Sequence, residues 1–161
     1  MRSFRIRAAA VSILLSVWAS AAVAQTASEV PYPDGYRRWV HISSGWVGEG
    51  SPAFPHFAGL HHVYANPQAM AGYRAGTFPV GSVIVFDVLA TKAGPGSLTT
   101  AERRLLDVME KTTAGWRFAE FNGASHTERN VTAAAGVKAC AACHAGSKTD
   151  SVFSKLGDAD G

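Results

Sequence analysis

The chain's only two cysteines stand close together near the C-terminus, and a histidine follows the second: Cys140-Ala141-Ala142-Cys143-His144. No other feature constrains the fold as tightly. Cys-x-x-Cys-His is the attachment pattern of a c-type haem. Two thiols about one helical turn apart can each add to a vinyl group of the porphyrin. The imidazole that follows then lies under the iron as its proximal ligand. The pattern therefore predicts one covalently held haem c, with Cys140 and Cys143 as the cofactor-binding thiols and His144 as the metal ligand. Three other readings compete. A thioredoxin-like redox pair would normally follow a strand in a βαβ pattern near the start of its domain, whereas this motif follows an Ala-rich stretch, Thr132 to Ala135. A structural zinc site takes four ligands, and there is no second cysteine pair. A plain disulfide has no use for His144.

The N-terminus reads as a leader. Arg2, Arg5 and Arg7 precede an apolar run from Ala8 to about Ala22, which ends in Ala22-Val23-Ala24. This is the pattern of a secretory signal peptide cleaved after Ala24. The run is short for a membrane span of about 20 residues, so a membrane anchor is the weaker reading. Residues 25–161 then form a single domain, expected to be periplasmic or otherwise exported, soluble and not membrane-embedded. The leader's three charged residues are all arginines, which leaves twelve Lys and Arg against twelve Asp and Glu. The mature chain is thus balanced, and its charge gives no reason to expect a nucleic-acid partner.

The rest reads as short helices and strands. Pro33 to Val40 can form a short helix with Tyr36, Trp39 and Val40 on one face. Gly59 to Tyr64 reads as a strand. Asn66-Pro67 places an N-cap before a proline, and the helix it opens runs to about Arg74 and stops at Gly76. Ser82 to Thr91 is the clearest strand, rich in Val and Ile. Ala93 to Ser97 is a loop of breaker residues. Arg103 to Lys111 fits helix or strand and is assigned strand, because a turn (Thr113 to Gly115) and an alternating run follow. In that run Trp116, Phe118 and Glu120 oppose Arg117, Ala119 and Phe121. The residues from about Leu156 onward read as a frayed tail. The expectation is an α+β fold: a predominantly antiparallel β-sheet, a few short helices and a C-terminal haem-attachment segment. A four-helix bundle would need much longer helical patterns.

The ordered segments carry a resemblance. Tyr32-Pro33-Asp34-Gly35-Tyr36-Arg37-Arg38-Trp39 comes first, then His62 to Pro67, the strand Gly81 to Asp87, and Val108-Met109-Glu110-Lys111. Gly115 to Phe118, the Cys-Ala-Ala-Cys-His motif and Thr149 to Ser154 complete the set. Together they resemble the cytochrome P-460 family, which includes the cytochromes c′-beta. The resemblance implies an antiparallel sheet with a few helices, a homodimer, and one haem per chain with an open or weakly ligated distal side. Members named for the P-460 chromophore oxidise hydroxylamine and carry a lysine cross-linked to the haem, on the strand equivalent to Ser82–Thr91. That position holds Phe86 here, and a phenyl ring has no amine. The distal glutamate of those enzymes falls near Leu106, with Asp107 adjacent. Both departures point away from hydroxylamine oxidation. In the cytochromes c′-beta an aromatic pair caps the distal face, and Phe57 and Phe86 resemble that pair; the alternative is two ordinary core phenylalanines.

Other residues offer chemistry. His41, His56, His61, His62 and His126 could each supply a sixth ligand, but surface or hydrogen-bonded histidines are the plainer reading. His61 and His62, adjacent on a strand, must face opposite ways. Met70 and Met109 could be sulfur ligands; Met70 reads better as core. Asp107 could serve as an acid or base beside the haem, though the residues favour a surface carboxylate. Arg103, Arg104, Arg117 and Lys138 could pair with haem propionates. The resulting expectation is a cytochrome that binds nitric oxide or a similar small gaseous or nitrogenous ligand, or transfers electrons to a redox partner. The alternative is a haem enzyme acting on hydroxylamine, other small nitrogen species or peroxide.

Overall fold

A computed structural model describes residues 28–157. The expected leader, 1–24, and the end of the expected tail lie outside them. The core is one six-stranded antiparallel sheet, each strand paired with its neighbours in chain order. The strands are β1 (Val40–Val47), β2 (Gly59–Ala65), β3 (Val83–Gly94), β4 (Ser97–Thr112), β5 (Gly115–Asn122) and β6 (Arg129–Val131). Helix α1 (Pro67–Ala75) joins β2 to β3; α2 (Ala133–Ala139) and α3 (Ala141–His144) follow β6. The α+β, mainly antiparallel expectation holds. Among the described residues no helix is long and apolar enough to cross a membrane.

The local signals explain most boundaries. Asn66 caps α1 by accepting from the Ala69 N–H at 2.8 Å, with Pro67 in the first turn. The same side chain also accepts from Val83 N–H and donates to the Gly81 carbonyl, so one residue ties α1 to the start of β3. The breaker loop at 93–97 is smaller than expected. Gly94 pairs with Ser97, and Pro95-Gly96 alone turns the chain, with Gly96 at φ 63°; proline presets the first turn position and glycine supplies the positive φ. Beyond Thr91 the β3–β4 hairpin is exposed, held by its ladder rather than by burial. Pro33 to Val40 contains only a 3-10 turn, Tyr36–Arg38, after which β1 begins at Val40. Strands β1 and β6 escaped the sequence reading. Ser43, Ser44 and Gly45 in β1 carry little strand propensity, and β6 is three residues long.

Both sheet faces are covered, which is why β3 reads as nearly continuous Val and Ile rather than as alternation. On one face Val63, Ala65, Ile84, Met109 and Phe118 pack with Met70 of α1, Phe78 and Val152. On the other, Val85, Leu106, Val108, Ala119 and Phe121 pack under Val30 and Tyr36 from the N-terminal segment. Met70 and Met109 are thus core side chains on the first face. The second face also buries Asp87, completely enclosed and bound by Tyr36 Oη (2.5 Å) and Arg103 Nε (2.7 Å).

Candidate haem-binding site

The Cys-Ala-Ala-Cys-His segment is presented by two short helices that dock on β5. Thr132 caps α2 by accepting from Ala135 N–H. The helix then lies so close to the sheet that a Cβ on Gly136 would stand 2.6 Å from the Phe118 carbonyl oxygen. Cys140 ends α2 and opens α3. The His144 N–H donates to the Cys140 carbonyl at 3.0 Å, so the motif forms one helical turn. Cys140 packs partly buried against the first-face core, while Cys143 is exposed. Burial, then the carboxyls of Asp107 and Glu120 and the neighbouring Cys143, push the Cys140 thiol up to about 11. A thiol so placed holds its proton at neutral pH. A redox-active pair relies instead on a lowered thiol pKa, so the electrostatics speak against the thioredoxin-like reading.

His144 is held on three sides. Its ring lies between Phe118 (4.9 Å between centroids) and Phe153 (5.1 Å). Its Nδ1 donates to the Ser151 carbonyl at 2.7 Å. A carbonyl only accepts, so Nδ1 carries a proton, and in the neutral imidazole Nε2 is then the nitrogen whose lone pair is free for a metal. Among the described residues no three His, Cys, Asp or Glu side chains converge as a metal site. A single oriented imidazole would suit an iron whose other ligands a porphyrin supplies.

Strand register extends this face toward Phe86. Phe86 stands opposite Val63 on β2 and Asp107 on β4; Asp107 in turn stands opposite Glu120 on β5, two positions along the strand from Phe118. Phe57 meets Phe86 edge to face at 5.5 Å. His61 also stacks on Phe86, at 4.6 Å. Its ring lies over Gly45 of β1, where any side chain would collide with it. The two adjacent histidines do face opposite ways. His62 hydrogen-bonds Ser44 on the second face, as does His41, while His126 stacks on Tyr32. His61 differs in having a buried Nδ1 with no protein partner. Burial, and then the charge of His62, lowers its pKa, so it is neutral at neutral pH.

The carboxylates differ from the expectation. Asp107 is half-buried on the Phe86 face, opposite Glu120, rather than a fully exposed surface carboxylate. Burial first, then the charge of Glu120 and a hydrogen bond to it, raise the Asp107 pKa well above the ordinary carboxylate range. Glu120 is buried and accepts from His56 Nε2 and Asn130 Nδ2, each at 2.7 Å. A carboxyl so raised keeps its proton to higher pH, where it can be shared with Glu120 on the Phe86 face. The alternation of Trp116, Phe118 and Glu120 put Glu120 on that face in sequence, but nothing local marked it as the partner of Asp107. Two of the basic candidates are spoken for elsewhere: Arg103 binds Asp87 on the second face, and Arg117 binds Glu110 at 2.6 Å. Arg104 donates to the carbonyls of Pro55 and Ala58, anchoring the loop that carries Phe57. Lys138 is exposed on α2.

Family comparison agrees with this architecture. The family model described as Cytochrome P460 matches residues 33–154, from just before the first turn to just beyond the loop that orients His144. The chain is a member of the cytochrome P460 family. That places it among haem-binding cytochromes, and the Cys140–His144 turn lies inside the matched region. No curated protein matches the sequence.

Proposed function

We propose that this cytochrome P460-family chain is an exported mono-haem c-type cytochrome. Cys140 and Cys143 attach the haem, His144 ligates the iron, and Phe57 and Phe86 cap an open site on the opposite side. The observation that carries the reading is the 2.7 Å bond from His144 Nδ1 to the Ser151 carbonyl. It fixes the tautomer a proximal ligand needs, one helical turn from Cys140.

Haem iron held there supplies a one-electron couple and a coordination position for a small ligand. The chain's residues determine what that position favours. Phe57 and Phe86 exclude water and offer no hydrogen bond, which suits nitric oxide or carbon monoxide better than dioxygen. Phe86, lacking an amine, cannot form the lysine cross-link of the hydroxylamine oxidisers. Ligand binding, electron transfer or both are therefore the favoured roles, with dimerisation following from the family resemblance. Visible spectra of the oxidised, reduced and nitric oxide-treated protein test this. The expected result is an ordinary c-type haem whose ferrous form takes up nitric oxide. A six-coordinate, low-spin ferrous haem that takes up none would sink the open site.

One observation favours a second reading. The Asp107–Glu120 pair, opposite Phe86 and linked by His56 toward the surface, can hold and pass a proton, as oxidation of hydroxylamine would require. Turnover of hydroxylamine with an electron acceptor would support it. An ordinary spectrum without turnover would set it aside.

A further inference from the structure

Two consecutive residues after the haem-motif turn, Asp150 (φ 43°) and Ser151 (φ 66°), occupy the left-handed backbone region without being glycine. Such residues persist where surrounding structure over-determines them, and they cluster at functional sites. Here the surroundings are explicit. Asp150 Oδ2 accepts from the Phe78 N–H at 2.9 Å, Oδ1 accepts from Lys111 Nζ at 2.7 Å, and its main-chain oxygen accepts from Trp116 Nε1 at 2.8 Å. These donors come from the turn before β3, the end of β4 and the start of β5. Lys111 also lies over the Trp116 ring at 5.1 Å, and Phe78 packs edge-on against Trp116. On the far side of the turn, Val152 is buried and its N–H donates to the Thr149 carbonyl at 2.8 Å. The turn is pinned at both ends, and the group it aims is the Ser151 carbonyl, the acceptor for His144 Nδ1.

We infer that Asp150 is a positioning residue for His144. By clamping the left-handed turn to the sheet it sets the strength of the Nδ1–H···O=C bond, and through it the basicity of Nε2. This rests on the reading of His144 as iron ligand. A well-aimed acceptor on the far nitrogen makes a histidine ligand more basic, and hydrogen bonding around an axial ligand is one of the levers a protein has on haem potential. More donation from Nε2 strengthens the iron–histidine bond and favours the ferric state.

The test uses the haem-loaded protein. A pyridine haemochrome assay of the wild type comes first; absence of covalent haem overturns the haem reading itself. With haem present, Asp150→Ala is expected to lower the iron–histidine stretching frequency of the ferrous protein in resonance Raman and to raise the midpoint potential. Asp150→Asn keeps an acceptor oxygen and tolerates the left-handed region, so it should return both values toward wild type. Ser151→Gly, which keeps the carbonyl and relieves the left-handed strain, should shift both values less than Asp150→Ala. Should Asp150→Ala fail to accumulate as holo-protein, Trp116→Phe removes one donor from the clamp and should give a smaller shift in the same direction. Unchanged frequency and potential in the folded, haem-loaded variants overturn the inference. So does a Ser151→Gly shift as large as that of Asp150→Ala, which would mean general loosening of the turn.

Discussion

Asp107 and Glu120 stand side by side across β4 and β5, and their proximity has a measurable cost. Because the Asp107 pKa is raised, the folded state keeps a proton that the unfolded chain releases once pH passes the ordinary carboxylate range. Stability conferred by that proton is present at low pH and declines as pH rises toward the raised value. Asp107→Asn removes the ionisation while keeping shape and hydrogen-bonding capacity. It is expected to raise the thermal midpoint at neutral pH by about 2–8 °C, the equivalent of ~1 kcal/mol, and to flatten the pH dependence. A lower midpoint at pH 7 would contradict the shared-proton account. Phe86 gives a second test at this scale. An edge-to-face aromatic pair is worth about 0.5–1.5 kcal/mol, so Phe86→Ala, which uncaps the site, should tighten carbon monoxide or nitric oxide binding by up to about tenfold. Ligand titration reads this directly. Phe86 and Phe57 were marked in sequence through the resemblance to the cytochrome P-460 family, which implies an aromatic pair at their positions. The Asp107–Glu120 pairing was not, because cross-strand partners depend on register.

Among the elements, α2 decides whether the haem motif reaches the sheet. Its Gly136 is the contact: a Cβ there would meet the Phe118 carbonyl oxygen at 2.6 Å and the Phe118 Cβ at 3.0 Å. Alanine favours a helix interior over glycine by roughly 1 kcal/mol, yet overpacking against rigid backbone typically costs about 1–3 kcal/mol. Gly136→Ala should therefore be destabilising on balance and should lower haem incorporation, because Cys140 sits at the end of the displaced helix. Thermal unfolding and haem content per chain measure both, and a variant as stable as wild type with full haem would refute the close docking. Helix α1, by contrast, was legible residue by residue, since Asn66, Pro67 and Gly76 act locally. Strand β1 was not: its Ser- and Gly-containing middle pairs with β2 only because β2 is there.

Across the molecule, Asp87 fastens the N-terminal segment to the second face of the sheet. It is fully buried, and Arg103 binds it with a side chain only 11% exposed. Burial alone would raise its pKa; hydrogen bonds from Tyr36, Arg103 and Arg37 outweigh that and bring it below the ordinary value. A lowered folded-state pKa contributes stability that is fully present above the ordinary carboxylate range and is lost as pH falls through the folded value. Acid unfolding should thus depend on Asp87. Removing one partner of a buried pair costs about 3–5 kcal/mol, so Asp87→Ala should lose stability on that scale at neutral pH while flattening the acid limb. Denaturant unfolding across pH checks it; a loss under about 1 kcal/mol would be too small for a breached buried network of this kind. The same network explains why Arg103, a basic residue expected as a candidate for the propionates, is turned away from the face that carries Phe86 and Phe118.

The sequence by itself determined what is local or compositional. Cys140, Cys143 and His144 form the haem-attachment pattern through spacing alone, α1 is marked by its caps, and the sheet class by the Val- and Ile-rich strand that contains Phe86. The resemblance to the cytochrome P-460 family was likewise written in ordered segments along the chain. Tertiary structure alone decided which side chains meet. It singled out His61 from five histidines, paired Asp107 with Glu120, sent Arg103 and Arg117 to other carboxylates, and brought Asp150 under Phe78, Lys111 and Trp116 to aim one carbonyl at His144. The physical reason is common to these cases. A hydrogen bond or charge pair forms at about 3 Å, and between residues tens of positions apart that distance is set by strand register and helix docking, neither of which any single segment encodes.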